Sequence, residues 1–148
     1  MLKYYLKVGV KMLKEFSCGA VLYCKEDGVR KYVLVMEPNG LYGFPKGHVE
    51  GKESDIETAK REIYEETGVN PIFIPNLKRT IRYKISPNDE KEVTYFVAKF
   101  EDEELHIVDK NILGIKLLEL DSALSLLKFP ELRNILVETD YILNEKGE

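Results

Sequence analysis

The chain has 148 residues, 44% of them hydrophobic, which suits a single domain of ordinary globular size with a buried core. Its formal net charge of −4 argues against a protein that holds long nucleic acid by charge alone. No apolar run is long enough to span a bilayer and no signal-peptide core follows the start, so a cytoplasmic protein without a membrane partner is expected.

The first residues read MLKYYLKVGVKMLKEF, with Leu2, Tyr4, Leu6, Val8 and Val10 alternating with Lys3, Lys7 and Lys11. That period of two favours a strand added to a sheet edge over the alternative for residues 1–11, an upstream N-terminal extension that the fold does not need, ahead of a domain that opens at Met12. An edge of this kind is also where a second subunit would meet the chain, so monomer and homodimer both stay open.

Phe16 to Cys24 and Lys31 to Glu37 read as strands around the turn Glu26 to Gly28. Cys18 and Cys24 fall on one face of the first, the pattern of reduced core residues rather than of a disulfide or metal site. A Gly- and Pro-rich loop, PNGLYGFPKG, follows. Beyond the helix it leads to, extended runs are predicted at Pro71 to Ile85, Glu92 to Phe100 and Ile112 to Leu118, with Ser86 to Glu90 as a hairpin turn. Two helices close the chain, Asp121 to Lys128 and one opened by Pro130, whose Leu132, Ile135, Leu136, Thr139 and Ile142 form a core stripe. The sum is an α/β fold, a mixed β-sheet with helices packed on it.

The helix after the loop carries the chemistry. Ser54 and Glu57 form a capping-box signature, and Gly68 stands where a C′ glycine ends a helix. At 100° per residue Ile56, Ala59, Ile63 and Thr67 form the buried stripe, Glu62 and Glu66 lie along its edge, and Glu65 stands beside them. Carboxylates three and four residues apart repel one another, so something must neutralise them. Arg61 lies four residues after Glu57 and four before Glu65 and can pair with either. A hard divalent cation held by oxygen ligands would also relieve the repulsion, and Mg²⁺ is usually held by a few carboxylates plus substrate phosphates.

Written out, the segment is Gly47, five residues, Glu53, seven residues, Arg61-Glu62-Ile63, one residue, Glu65-Glu66, one residue, Gly68-Val69. This resembles the complete signature box of the Nudix hydrolases, a pattern expected by chance about once in 10⁸ starting positions. Phe44 to Glu50, Lys78 to Tyr83, Lys91 to Phe100 and the closing LLELDSALSLLKFPELRNIL also resemble the asymmetrical diadenosine tetraphosphate hydrolases of that family, from about Glu15 onward. The resemblance implies a Nudix-type α/β/α sandwich and Mg²⁺-dependent hydrolysis of a dinucleoside polyphosphate to ATP and AMP, with Mn²⁺ as the alternative metal. It places the metal on Glu62, Glu65 and Glu66 with the Gly47 carbonyl. Glu62 is then the residue expected to position or deprotonate the attacking water, and Glu53 and Arg61 are expected to orient the other carboxylates. Lys46 and His48 flank Gly47 and are candidates for the polyphosphate; Tyr83 is the candidate for stacking on adenine; Arg79, Arg82 and Lys91 are further phosphate candidates. Each has an ordinary alternative as a solvated or strand-face side chain, and His106 is read as structural.

One departure stands out: the resembling hydrolases carry a further Glu before the last core strand where this chain has Asn111; either Glu101 to Leu105 or Asp109 substitutes, or the position is not needed. Two other readings are a Nudix pyrophosphohydrolase of damaged nucleoside triphosphates or triphosphorylated RNA, and a nucleotide-binding Nudix domain without turnover. The intact set of carboxylates disfavours the second.

Overall fold

The computed structural model describes residues 2–7 and 10–148, with side chains from residue 13 onward. Two long, apolar-rich strands form its spine. β2 (Val10–Glu26) runs parallel to β7 (Asp89–Lys99), from Leu13 opposite Asp89 to Tyr23 opposite Lys99. β1 (Leu2–Lys7) pairs antiparallel with the start of β2, Leu2 opposite Glu15; of the alternation predicted there, Val8 lies outside the described residues. β3 (Val29–Met36) turns back on β2 through Asp27 and Gly28, both in the left-handed region. β6 (Ile72–Ser86) forms a hairpin with β7, and β8 (Gly114–Leu118) pairs with β3. Antiparallel pairs around one parallel pair make the mixed sheet expected from the sequence.

Alternation along β2 assigns the two faces. Cys18, Ala20, Leu22 and Cys24 pack toward α1 (Asp55–Thr67), where Ala59, Ile63 and Val69 complete the cores. Val21 and Tyr23, with Val93, Tyr95 and Val97, pack toward α2 (Leu120–Leu126) and α3 (Pro130–Lys146). The result is an α/β/α sandwich. α3 buries Leu132, Ile135, Leu136 and Thr139 as predicted, and then Leu143, while Ile142 stays half-buried.

The sequence pattern missed two short pieces in the Gly- and Pro-rich loop, β4 (Tyr42–Gly43) on β3 and β5 (Lys46–His48) on β2. β5 can reach β2 because residue 19 is glycine: a Cβ there would lie 2.0 Å from the Pro45 carbonyl oxygen and 2.6 Å from the Lys46 Cβ. No helix among the described residues is long and apolar enough to cross a membrane.

Because the nearer atom is rigid backbone, Gly19→Ala is expected to cost at least the ~1–3 kcal/mol typical of overpacking. A urea melt checks this, and an unchanged midpoint would mean that β5 does not lie this close in solution.

Candidate active site

The local signals set up α1 as predicted. The Ser54 hydroxyl accepts from the Glu57 amide at 3.2 Å, the Glu57 carboxylate accepts from the Ser54 amide at 3.3 Å, and Gly68 closes the helix at φ 76°. The buried stripe differs from the expectation. Ile56 is 42% exposed, and Thr58 is buried in its place with its hydroxyl donating to Glu53 at 3.0 Å. Glu62 and Glu66 sit within the stripe, 9% and 5% exposed, against β2 and β5.

Arg61 neutralises most of this charge. Its Nε donates to Glu53 at 2.7 Å, Nη1 to Glu62 at 2.7 Å and to Glu65 at 3.2 Å, and Nη2 to the His48 carbonyl at 2.9 Å. This bonding holds the Glu53 carboxyl down to about 2. Among the described residues Glu66 has no such partner, and its one hydrogen bond comes from the Lys46 amide at 3.0 Å. Burial, reinforced by the Glu62 charge, pushes its carboxyl up to about 8 against that amide. Burial also raises Glu62, although its Arg61 bond opposes the shift. A Cβ on Gly47 would lie 2.0 Å from the Glu62 carboxyl carbon, so only glycine allows this carboxylate to rest on the β5 backbone.

These donors suit a hard divalent cation. They are oxygens, two of the carboxylates are buried, and the most buried one lacks a cationic partner of its own. Among the described residues no three acidic, His or Cys side chains are already gathered around one point, because Arg61 occupies the space between Glu62 and Glu65.

Beside this cluster opens a cavity of about 370 Å³. Tyr83 and Phe129, 45% and 50% exposed, stand on its walls, and Lys46, Lys91, Arg82 and Glu37 supply charge. Lys46 joins the two parts: its amide holds Glu66 while its ammonium donates to Glu37 at 2.7 Å. Lys91 has no carboxylate partner among the described residues, and burial, then the Lys46 charge, lowers its pKa. Arg82 is tied to Glu92 at 2.6 Å.

The remaining candidates lie elsewhere. His48 is exposed at the end of β5, its imidazole pKa lowered by partial desolvation, and it does not line the cavity. Arg79 lies four residues back from Tyr83, paired with Glu138 of α3 at 2.8 Å and lining a separate cleft. A cavity of about 720 Å³ near Tyr23 and Glu148 is lined by Glu101 to Leu105, candidates for the role left by Asn111, and by none of the other predicted residues. Of the acids near Asn111, Glu103 accepts from Asn70, whereas the Asp109 amide donates to the Glu65 carbonyl at 2.7 Å, placing Asp109 beside the helix cluster. His106 packs over Gly68 and its amide donates to the Thr67 carbonyl. Phe129 and Glu37 were not foreseen: one precedes a helix and the other follows a strand, and neither carries a spacing signal.

The profile of the NUDIX domain matches residues 16–138, and the chain belongs to this family of Nudix hydrolases. It is similar to the bis(5'-nucleosyl)-tetraphosphatases [asymmetrical] of Rattus norvegicus and Sus scrofa, 28% and 27% identical, each covering 82% of this chain and 90% of the relative. Among solved structures, a Caenorhabditis elegans Ap4A hydrolase binary complex superposes with a TM-score of 0.81 at 23% identity, covering 88% of this chain and 98% of that one. The NUDIX domain of Shewanella oneidensis NrtR, complexed with ADP ribose, gives 0.70 at 22% identity, covering 87% and 88%.

The raised Glu66 carboxyl gives a signed prediction for metal-free protein. An acid whose folded pKa lies above its unfolded value favours the folded state most below about 4.5, and that contribution is lost as pH rises through about 8. The melting temperature should therefore fall between pH 5 and pH 9, and by less in Glu66→Gln. Parallel curves for the two proteins would show that Glu66 is ionised throughout.

Proposed function

We propose that this Nudix hydrolase cleaves a dinucleoside polyphosphate, Ap4A and water giving ATP and AMP, with Mg²⁺ or Mn²⁺ as cofactor. The observation that carries the reading is the continuity of two environments through Lys46: a cleft with two aromatic walls and basic groups, and a cluster of buried carboxylates. An adenine between Tyr83 and Phe129 would stack on faces that do not depend on base identity. The phosphate chain would then pass Lys91 and Lys46 toward α1. The curated relatives named above support the asymmetrical tetraphosphatase activity over other Nudix reactions.

In this reading Glu66, Glu65, Glu62 and the Gly47 carbonyl hold the metal, which would offset charge on the attacking and leaving oxygens. Glu62 positions or deprotonates a water for in-line attack on phosphorus; the P–O bond to the departing ATP breaks as the new one forms. Arg61 and Glu53 orient Glu62 and Glu65. Lys46 and Lys91 bind phosphates, while Arg79 and His48 become peripheral. Asp109 takes the place left by Asn111. Residues 1–148 make one Nudix domain with 1–11 as an extension, in a cytoplasmic protein acting as a monomer or homodimer.

Hydrolysis of Ap4A in ¹⁸O-labelled water should label AMP and leave ATP unlabelled; two molecules of ADP would exclude the asymmetric reading. Glu66→Gln should reduce turnover by about a hundredfold or more, beyond what outer-shell partners of metals usually carry. Near-parental turnover at saturating Mg²⁺ would remove Glu66 from the ligand set. Tyr83→Ala should raise KM by about ten- to a hundredfold, the worth of one stacked base. Deleting residues 1–11 should leave turnover in place, and its loss would make that segment part of the catalytic domain.

A further inference from the structure

Tyr95 forms the floor of the 370 Å³ cavity. It is 2% exposed, yet its hydroxyl makes no hydrogen bond among the described residues. That oxygen is not sealed as the unpartnered Ser17 Oγ and Arg30 Nε are, and Tyr95 lines both this cavity and the cleft beside Arg79. Its ring is fixed: it meets Phe44 edge-on at 5.4 Å and 78°, and its backbone is registered between Gly19 of β2 and Arg79 of β6. After burial itself, the groups acting on the hydroxyl are Glu37, Tyr83 and Glu66, so it stands between the aromatic cleft and the helix carboxylates. A native fold that leaves a buried hydroxyl unsatisfied incurs a desolvation cost, and a locked phenol loses little entropy when it binds.

We infer that the Tyr95 hydroxyl donates a hydrogen bond to a non-bridging oxygen of the bound phosphate chain. Together with the two lysines it forms a three-donor cradle, with the neutral donor below and the cations at the rim. Glu37 and Glu66, whose charges act on the hydroxyl, accept from Lys46 and not from the phenol among the described residues, so its donor is free for an anionic ligand. The inference rests on the cavity being a phosphate-chain site.

The test is Tyr95→Phe, which removes the oxygen and keeps the ring against Phe44. Calorimetric titration with inorganic tripolyphosphate, a probe with neither base nor ribose, should show binding by the parent protein and affinity about tenfold or more weaker in the variant, as for a hydrogen bond to a charged group. Equal affinities, or no binding by the parent, would overturn the inference. If the variant melts lower, 3-fluorotyrosine at residue 95 keeps the bulk and makes a stronger donor; it should tighten binding, and unchanged or weaker binding would overturn the inference. With Ap4A the variant should raise KM and leave kcat within about twofold, and the same KM ratio should appear with a 2'-deoxyribose dinucleotide. A ratio that collapses with the deoxy substrate would assign the hydroxyl to the ribose. Tyr95-dependent tripolyphosphate binding without Ap4A hydrolysis would refute the proposed reaction and leave this inference standing.

Discussion

The arrangement depends on one guanidinium. A helix with Glu62, Glu65 and Glu66 within a turn and a half would be destabilised by like-charge repulsion, and two of these side chains are also removed from water. Arg61 bonds Glu53, Glu62 and Glu65 at once and reaches the His48 carbonyl with its remaining arm. A planar fork of fixed donors can do this; a lysine ammonium, a point charge on a flexible stem, could not reach all four acceptors in one geometry. The same bonds tie α1 to β5 and to the loop containing Glu53. Charge compensation and placement of the site are therefore one interaction.

Lys46 makes the second link. Its amide satisfies Glu66, its ammonium satisfies Glu37 across the cavity, and its backbone approaches β2 only because Gly19 lacks a side chain. A shift of β5 would disturb the carboxylate cluster and the cavity wall together. That coupling explains why so short a strand sits at the meeting point of both environments.

How much of this was legible in the sequence followed from the range of the interactions. Helix α1, its caps and its acidic residues are set by neighbours within four positions, and they were readable. The long strands and a mixed sheet with helices packed on it followed from apolar periodicity, and the α/β/α layering from the resemblance to the Nudix hydrolases. Strands β4 and β5 were not legible, since pieces of two and three residues carry no period, and β5 is held by a partner far along the chain. Ile56 was misplaced because period alone cannot see that Glu53 offers Thr58 a hydrogen bond, which makes burial of a hydroxyl acceptable. Arg79 fell outside the cavity for a related reason: it shares a sheet face with Tyr83, but its guanidinium is drawn to Glu138 of α3, a partner that no local spacing reveals. Tyr95 reads as an ordinary core aromatic until its unpartnered hydroxyl is seen.

The cluster's charges are not equally compensated, and this asymmetry points to where an external cation gains most. Glu53, Glu62 and Glu65 each have an Arg61 nitrogen within 3.2 Å, whereas Glu66, the most buried of the four, has a single neutral amide. In the absence of metal a proton is its cheapest partner, which is the meaning of its raised pKa. A divalent ion arriving here would displace that proton rather than an existing salt bridge, so binding at Glu66 leaves the Arg61 network intact. Recruiting Glu62 or Glu65 as well means competing with Arg61 for the same oxygens. For a cation that took oxygens from Glu62 or Glu65, affinity and the rigidity of the cluster would thus be opposed through one arginine, which has Glu53 as its bidentate partner at 2.7 and 3.0 Å.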